Sequence, residues 1–358
     1  MRNLTFLVFV AMTFCCWGIY GPVLHVGQEL MAGGEGKASL RPFMCVGIAY
    51  FLIAVVFPVF MLKSKGEQGQ WTIQGFIWSM AAGIITAIGA LGIVLAFKFQ
   101  GKPVYVMPLV FGFAPIVNTF VSMIMAGTVK NATWKFYLGI MLVALGAAGV
   151  LTFQPKNTVK KVETVVSSPA EDSTDSNSLV ESKDKPNNSV NVLAVAICIA
   201  VTVVCWGSYG PLLHKGQVFM GGSRLRPLLC VGLAYFAVAV LAPWFLLGTF
   251  HEPGGWQNTS GVAWSLVAGA AGALGSLGII YAFTFGGKPV FVMPLIFGFA
   301  PVINTLTETL SNNLISNIIW QFLVSLGLVI VGAAMVLVFA PRGKKPSSKP
   351  AAEELANK

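Results

Sequence analysis

Charge is what this sequence has least of. Of its 358 residues, 10% are Asp, Glu, Lys or Arg, where an ordinary soluble domain carries about 25%. A cytosolic enzyme is excluded on that ground. The shortfall is mainly acidic, with 13 Asp and Glu against 23 Lys and Arg and a formal net charge of +10. The basic residues sit in short loops and the C-terminal tail and form no single stripe, so no nucleic-acid surface is expected. Cysteine chemistry is missing too. Cys15, Cys16, Cys45, Cys198, Cys205 and Cys230 lie in or at the ends of apolar runs, with no CxxC pair and no histidine at ligand spacing. They read as small hydrophobes, and neither a disulfide framework nor a metal site is expected. HExxH, GxSxG, P-loop and Asp-rich metal motifs are absent, so ATP hydrolysis and membrane proteolysis have no support. The chain is expected to be no enzyme and to need no cofactor.

What is present is apolar surface, at 56% of residues. Runs near the length of a membrane-crossing helix occupy 4–25, 42–62, 74–97, 103–126 and 134–153, then 190–213, 227–248, 260–285, 289–310 and 318–340. The first run has the look of a secretory signal, with Arg2 ahead of an apolar stretch. Its counterpart lies in mid-chain and ends in the same residues, so the first run is read as a retained span.

The two sets of five are copies. Cys16-Trp17-Gly18-Ile19-Tyr20-Gly21-Pro22 with His25, Gly27 and Gln28 returns as Cys205-Trp206-Gly207-Ser208-Tyr209-Gly210-Pro211 with His214, Gly216 and Gln217. Arg41-Pro42 with Cys45, Gly47, Tyr50 and Phe51 returns as Arg226-Pro227 with Cys230, Gly232, Tyr235 and Phe236. The stretch 101–119 returns at 287–305 with only Tyr/Phe and Val/Ile exchanges. The expected organisation is a five-helix repeat over 1–155, a charged connector over 156–189 too polar to bury itself, a second repeat over 190–341, and a basic tail over 342–358. An odd number of spans per copy makes the second copy enter the membrane from the opposite side. The expected fold is therefore an all-α membrane protein of ten transmembrane helices in two inverted repeats, a recurrent plan of secondary transporters. Lys and Arg number 14 on the side bearing both termini and 9 on the other, so both termini are expected in the cytoplasm and the chain in the cell (inner) membrane.

The doubled words are the candidate site. Pro103 and Pro289 fit a first helical turn, whereas Pro108, Pro115, Pro294 and Pro301 lie deeper and predict kinked or broken helices at matching depths. Asn118 and Asn304, one turn past the second proline, are candidate solute contacts; the competing reading is that they satisfy displaced backbone. In the other word, Trp17, Tyr20, His25 and Gln28, with Trp206, Tyr209, His214 and Gln217, would form an aromatic wall beside a broken helix end. Such a wall suits sugars, nucleosides or aromatic metabolites, and loop structure is the alternative. Lys102 and Lys288 are either snorkelling anchors or gate residues. Gly83, Gly89 and Gly92, with Gly269, Gly275 and Gly278, read as close-packing positions. Glu308 alone among the acids falls within a span, opposite Ser122 in the first copy, and is a candidate for proton coupling.

Ten spans in two inverted repeats, a Trp-Gly near the end of the first and sixth helices, and proline-rich fourth and ninth helices resemble the drug/metabolite transporter superfamily, in its EamA-like or glucose/ribose porter-like branches. That resemblance implies a cavity between the first four helices of each half, lined by the 17–28, 206–217, 108–118 and 294–304 segments, with the fifth and tenth helices peripheral and open to homodimer contact. The expected partners are a small-molecule solute and the lipid bilayer. The expected function is alternating-access transport of a small polar or amphipathic metabolite; a non-transporting sensor or scaffold on the same fold is the alternative.

Overall fold

The computed structural model describes residues 5–34, 36–64, 66–155, 191–249, 252–285 and 289–341, except the side chains of 283, 284, 289–291 and 294. The connector, the tail and Lys288 fall outside these residues. Helices α1 (Thr5–Ala32), α2 (Leu40–Ser64), α3 (Ile73–Lys98), α4 (Pro103–Met125) and α5 (Trp134–Phe153) precede the connector. After it come α6 (Val192–Phe219), α7 (Leu225–Leu247), α8 (Thr259–Thr284), α9 (Pro289–Ser311) and α10 (Trp320–Val338). No strand occurs among the described residues. Among the described residues, nine helices, α1 to α8 and α10, are long and apolar enough to cross a membrane. Large apolar side chains such as Phe60, Phe76, Trp134, Trp244 and Trp320 stay exposed, as a lipid-facing surface requires.

Two expectations about helix ends need correction. The HxGQ words do not break α1 or α6: each helix is 28 residues long, about 42 Å at 1.5 Å per residue, has Pro22 or Pro211 inside it, and ends only after its word, at Ala32 or Phe219. Nor is α4 or α9 broken, although Pro108 and Pro115 lie within α4 and Pro294 and Pro301 within α9. In an apolar medium the helix is the only local way to pair backbone groups, so one hydrogen bond lost to a proline does not end it. The irregular turns lie elsewhere, as π-turns at Leu52–Val56 in α2 and Ala237–Leu241 in α7. Each stands just before a proline, Pro58 or Pro243, whose missing N–H disturbs the ladder there.

Small residues let the helices of one half lie against those of the other. α1 runs antiparallel along α8: Gly27 abuts Ser265 and Gly261 abuts Met31 at one end, and Gly278 abuts Thr13 at the other. α3 and α6 repeat the seam through Gly75 with Met220, Gly216 with Ser79, and Gly92 with Thr202. A methyl group on Gly83 or Gly269 would strike Val231 or Val46, so these glycines do serve packing. Polar contacts pin both seams twice over. Thr13 Oγ1 donates to Gly275 O at 3.1 Å and Thr202 Oγ1 to Gly89 O at 3.0 Å. Trp17 Nε1 donates to Gly272 O at 3.2 Å and Trp206 Nε1 to Thr86 O at 3.1 Å. α5 and α10 form a third pair, with Gly139, Gly146 and Gly332 admitting the opposite backbone.

The loops also cross between halves. Glu252 lies at the N-terminus of α2, accepting from the amides of Ser39, Leu40 and Arg41 and pairing with the Arg41 guanidinium. Glu67 does the same at α7, with Ser223, Arg224, Leu225 and Arg226. A carboxylate there satisfies unpaired amides and complements the helix dipole.

Candidate functional site

Midway along the helices, Tyr50 and Tyr235 stack in parallel, ring centroids 4.2 Å apart at an interplanar angle of 2°. Phe51 meets Phe236 at 4.7 Å beside them. Each residue thus touches its own copy, and the mid-points of α2 and α7 cross there. On this aromatic floor stands a cavity of about 690 Å³.

The lining runs from mid-helix to one face. Trp17, Tyr20, Tyr50, Tyr235, Gly272 and Ser276 stand near the middles of their helices. Gln217, Ser122 and Pro341 stand at the ends of α6, α4 and α10, and Arg224 at the start of α7. Of the expected solute contacts, Trp17, Tyr20, Asn118, Trp206, Tyr209, His214 and Gln217 line this space. Tyr20 is 4% exposed, and its hydroxyl lies toward Tyr235 without a fully formed hydrogen bond. His214, Gln217 and Asn118 make no side-chain hydrogen bond to the protein among the described residues.

Three expected contacts are not in the cavity. His25, Gln28 and Asn304, the copies of His214, Gln217 and Asn118, lie toward the opposite face and are tied to the protein itself. Gln28 is fully buried and its Nε2 donates to Ala38 O and Val94 O, both at 2.9 Å. Asn304, also fully buried, donates from Nδ2 to Pro103 O at 2.9 Å. His25 Nε2 accepts from Lys37 Nζ, and Glu29 Oε1 stands 3.6 Å from His25 Nδ1 and 3.7 Å from Lys37 Nζ. Burial pulls the Lys37 ammonium below its ordinary value, against the opposing pull of Glu29 and Glu308. Glu308, 6% exposed, sits one turn beyond Asn304 and within electrostatic reach of Lys37, Lys102 and Glu29. It does not line the cavity.

A glycine admits each asparagine. A Cβ on Gly21 would lie 3.1 Å from Asn304 Oδ1, and one on Gly210 would lie 3.2 Å from Asn118 Nδ2. Pro108, Pro115 and Pro301 are buried, and none of the three lines the cavity. Lys102 precedes α4 as its exposed N-cap and borders a second, largely apolar groove of about 720 Å³ beside Tyr105, Leu109 and Val195. Lys288 and the side chain of Pro294 lie outside the described residues. No cluster of three or more His, Cys, Asp or Glu that could hold a metal occurs among the described residues, and the described cysteines are free.

Sequence reasoning missed Tyr50, Tyr235, Phe111, Thr86 and Ser276 as lining residues. Tyr50 and Tyr235 did leave a signal, a hydroxyl-bearing ring copied into the middle of an apolar span. No family model matches the chain, and no curated protein sequence matches it.

Proposed function

We propose that this chain is a secondary transporter that moves a small polar or amphipathic metabolite across the cell (inner) membrane by alternating access. In this reading α9 is a tenth span, and the halves are inverted repeats on the plan of the drug/metabolite transporter superfamily, in its EamA-like or glucose/ribose porter-like branches. One observation carries it. The same three side chains occur twice, once facing a cavity (His214, Gln217, Asn118) and once tied into a closed face (His25, Gln28, Asn304). Two similar halves in different conformations are what a carrier needs to exchange an open side for a closed one. The open side bears the ends of α6 and α10, so with cytoplasmic termini the cavity faces the cytoplasm. A homodimer would use the outer faces of α5 and α10, since their inner faces meet each other.

The test is flux. Purified protein reconstituted in vesicles and screened against radiolabelled sugars, nucleosides and aromatic metabolites should accumulate at least one, with saturation. Folded protein that moved none of them would favour a sensor or scaffold.

A further inference from the structure

The cavity is graded along its length, and the gradient restricts what fits. At mid-depth the polar atoms are largely committed. The indole N–H groups of Trp17 and Trp206 bond to Gly272 O and Thr86 O. The Tyr50 hydroxyl bonds to Ser276 Oγ at 2.9 Å, and Thr86 Oγ1 donates to Ala82 O at 2.7 Å. That end therefore offers mainly ring faces and edges, with the Tyr209 and Tyr235 hydroxyls, and the buried Tyr20 hydroxyl behind them, as its remaining polar groups among the described residues. Toward the open face the lining changes. Asn118 and Ser122 follow Phe111 along α4, and His214 and Gln217 follow Trp206 and Tyr209 along α6, with Arg224 beyond them. Trp206 and Gln217 are eleven residues apart, about 16 Å along a helix.

No lining residue among the described residues is acidic. A cationic solute would find no carboxylate in that lining to pair with. An aromatic cage could hold a cation by its ring faces, but Tyr50 and Tyr235 each turn a face to the other. A free sugar presents hydroxyls all round, and burying them against mid-depth rings would leave them unpaired at a cost of about 1–3 kcal/mol each.

Resting on the transport reading, we propose that the solute class is an aromatic acid: a planar ring seated at mid-depth, with a carboxylate or similar anionic group on a short arm directed to Asn118, His214 and Gln217. Its contacts are ring stacking at one end and hydrogen-bond donation at the other.

Four probes separate the possibilities in thermal-shift and calorimetric titrations of the full-length protein in detergent: indole-3-acetate, tryptamine, 3-methylindole and glucose. Indole-3-acetate should raise the unfolding midpoint in proportion to occupancy and bind about tenfold or more tightly than the other three. Gln217→Glu, which places a carboxylate among the donors of the half-exposed end, should reverse the order of indole-3-acetate and tryptamine. Tighter binding of tryptamine or glucose to the unaltered protein overturns the class. Equal binding of 3-methylindole shows that the polar end is not read and overturns it as well. An unchanged preference in Gln217→Glu removes the charge argument. Flux of a sugar or a cation in the vesicle screen, with no indole binding, would sink the aromatic-acid class and leave transport standing.

Discussion

The two faces of this molecule carry nearly the same residues and treat them differently. On one, Gln28 and Asn304 are fully buried and bonded to backbone carbonyls, and His25 accepts from Lys37. On the other, Gln217 and His214 face a cavity, as does Asn118 beside Gly210. Between the faces the copies agree closely, since both tryptophans and both threonines make matching bonds, and at the faces themselves the two capping carboxylates match as well. The middle of the protein is thus common to the halves, and the asymmetry lies in the His, Gln and Asn side chains on either side of it. A difference placed in this way is what the proposed alternating access would exchange.

That comparison can be broken in the middle first. Gly27→Leu puts a side chain against Ser265, where a Cβ already lies 3.0 Å from the backbone nitrogen, and Gly216→Leu does the same at Ser79 at 3.2 Å. Each should destabilise by about 3 kcal/mol or more, or prevent folding, as read from unfolding midpoints and yield. If only one of the pair does so, the seams are not equivalent. At the ends the expectation reverses and equivalent changes differ. Gln28→Ala strands the carbonyl of Ala38, removes a second bond to Val94 O and leaves a buried gap, and should cost about 2 kcal/mol, whereas Gln217→Ala should stay within about 0.5 kcal/mol and weaken solute binding instead. Asn304→Ala, which removes one buried bond to Pro103 O, should cost about 1 kcal/mol, while Asn118→Ala leaves stability alone and reduces uptake. Equal effects within either pair would erase the distinction between the faces.

The smallest effect concerns Lys37. Its ammonium titrates below the ordinary 10.5 because of burial, so between the lowered value and 10.5 the unfolded chain binds more protons than the folded one. Stability should therefore rise slightly with pH in that alkaline window. Lys37→Met should remove the slope, and its persistence would assign the slope to another group.

Much of this was legible in the residues. The sequence repeat, the approximate lengths of most helices and the packing role of Gly83 and Gly269 follow from apolar periodicity and from words that recur. The extension of α1 and α6 was not, because Gly, Pro, His and Gln in close order read as a helix end. Inside the protein Gln28 finds Ala38 O and Val94 O, and a polar group so paired does not end a helix. Doubled words also cannot tell which copy is open. Asn118 and Asn304 are the same residue type in the same motif, and only the contact with Pro103 separates them. The capping role of Glu67 and Glu252 was hidden for a related reason: each serves a helix more than 150 residues away, in the other half.

The indole clasps of Trp17 and Trp206 have a mechanical corollary. α1 is fastened to α8 and α3 to α6, so the stiff bodies of the molecule are hybrids, each drawn from both copies. Severing the peptide link between the copies would not yield two working modules. Each fragment would expose a row of bare glycines, and only expression of the two together would restore a whole.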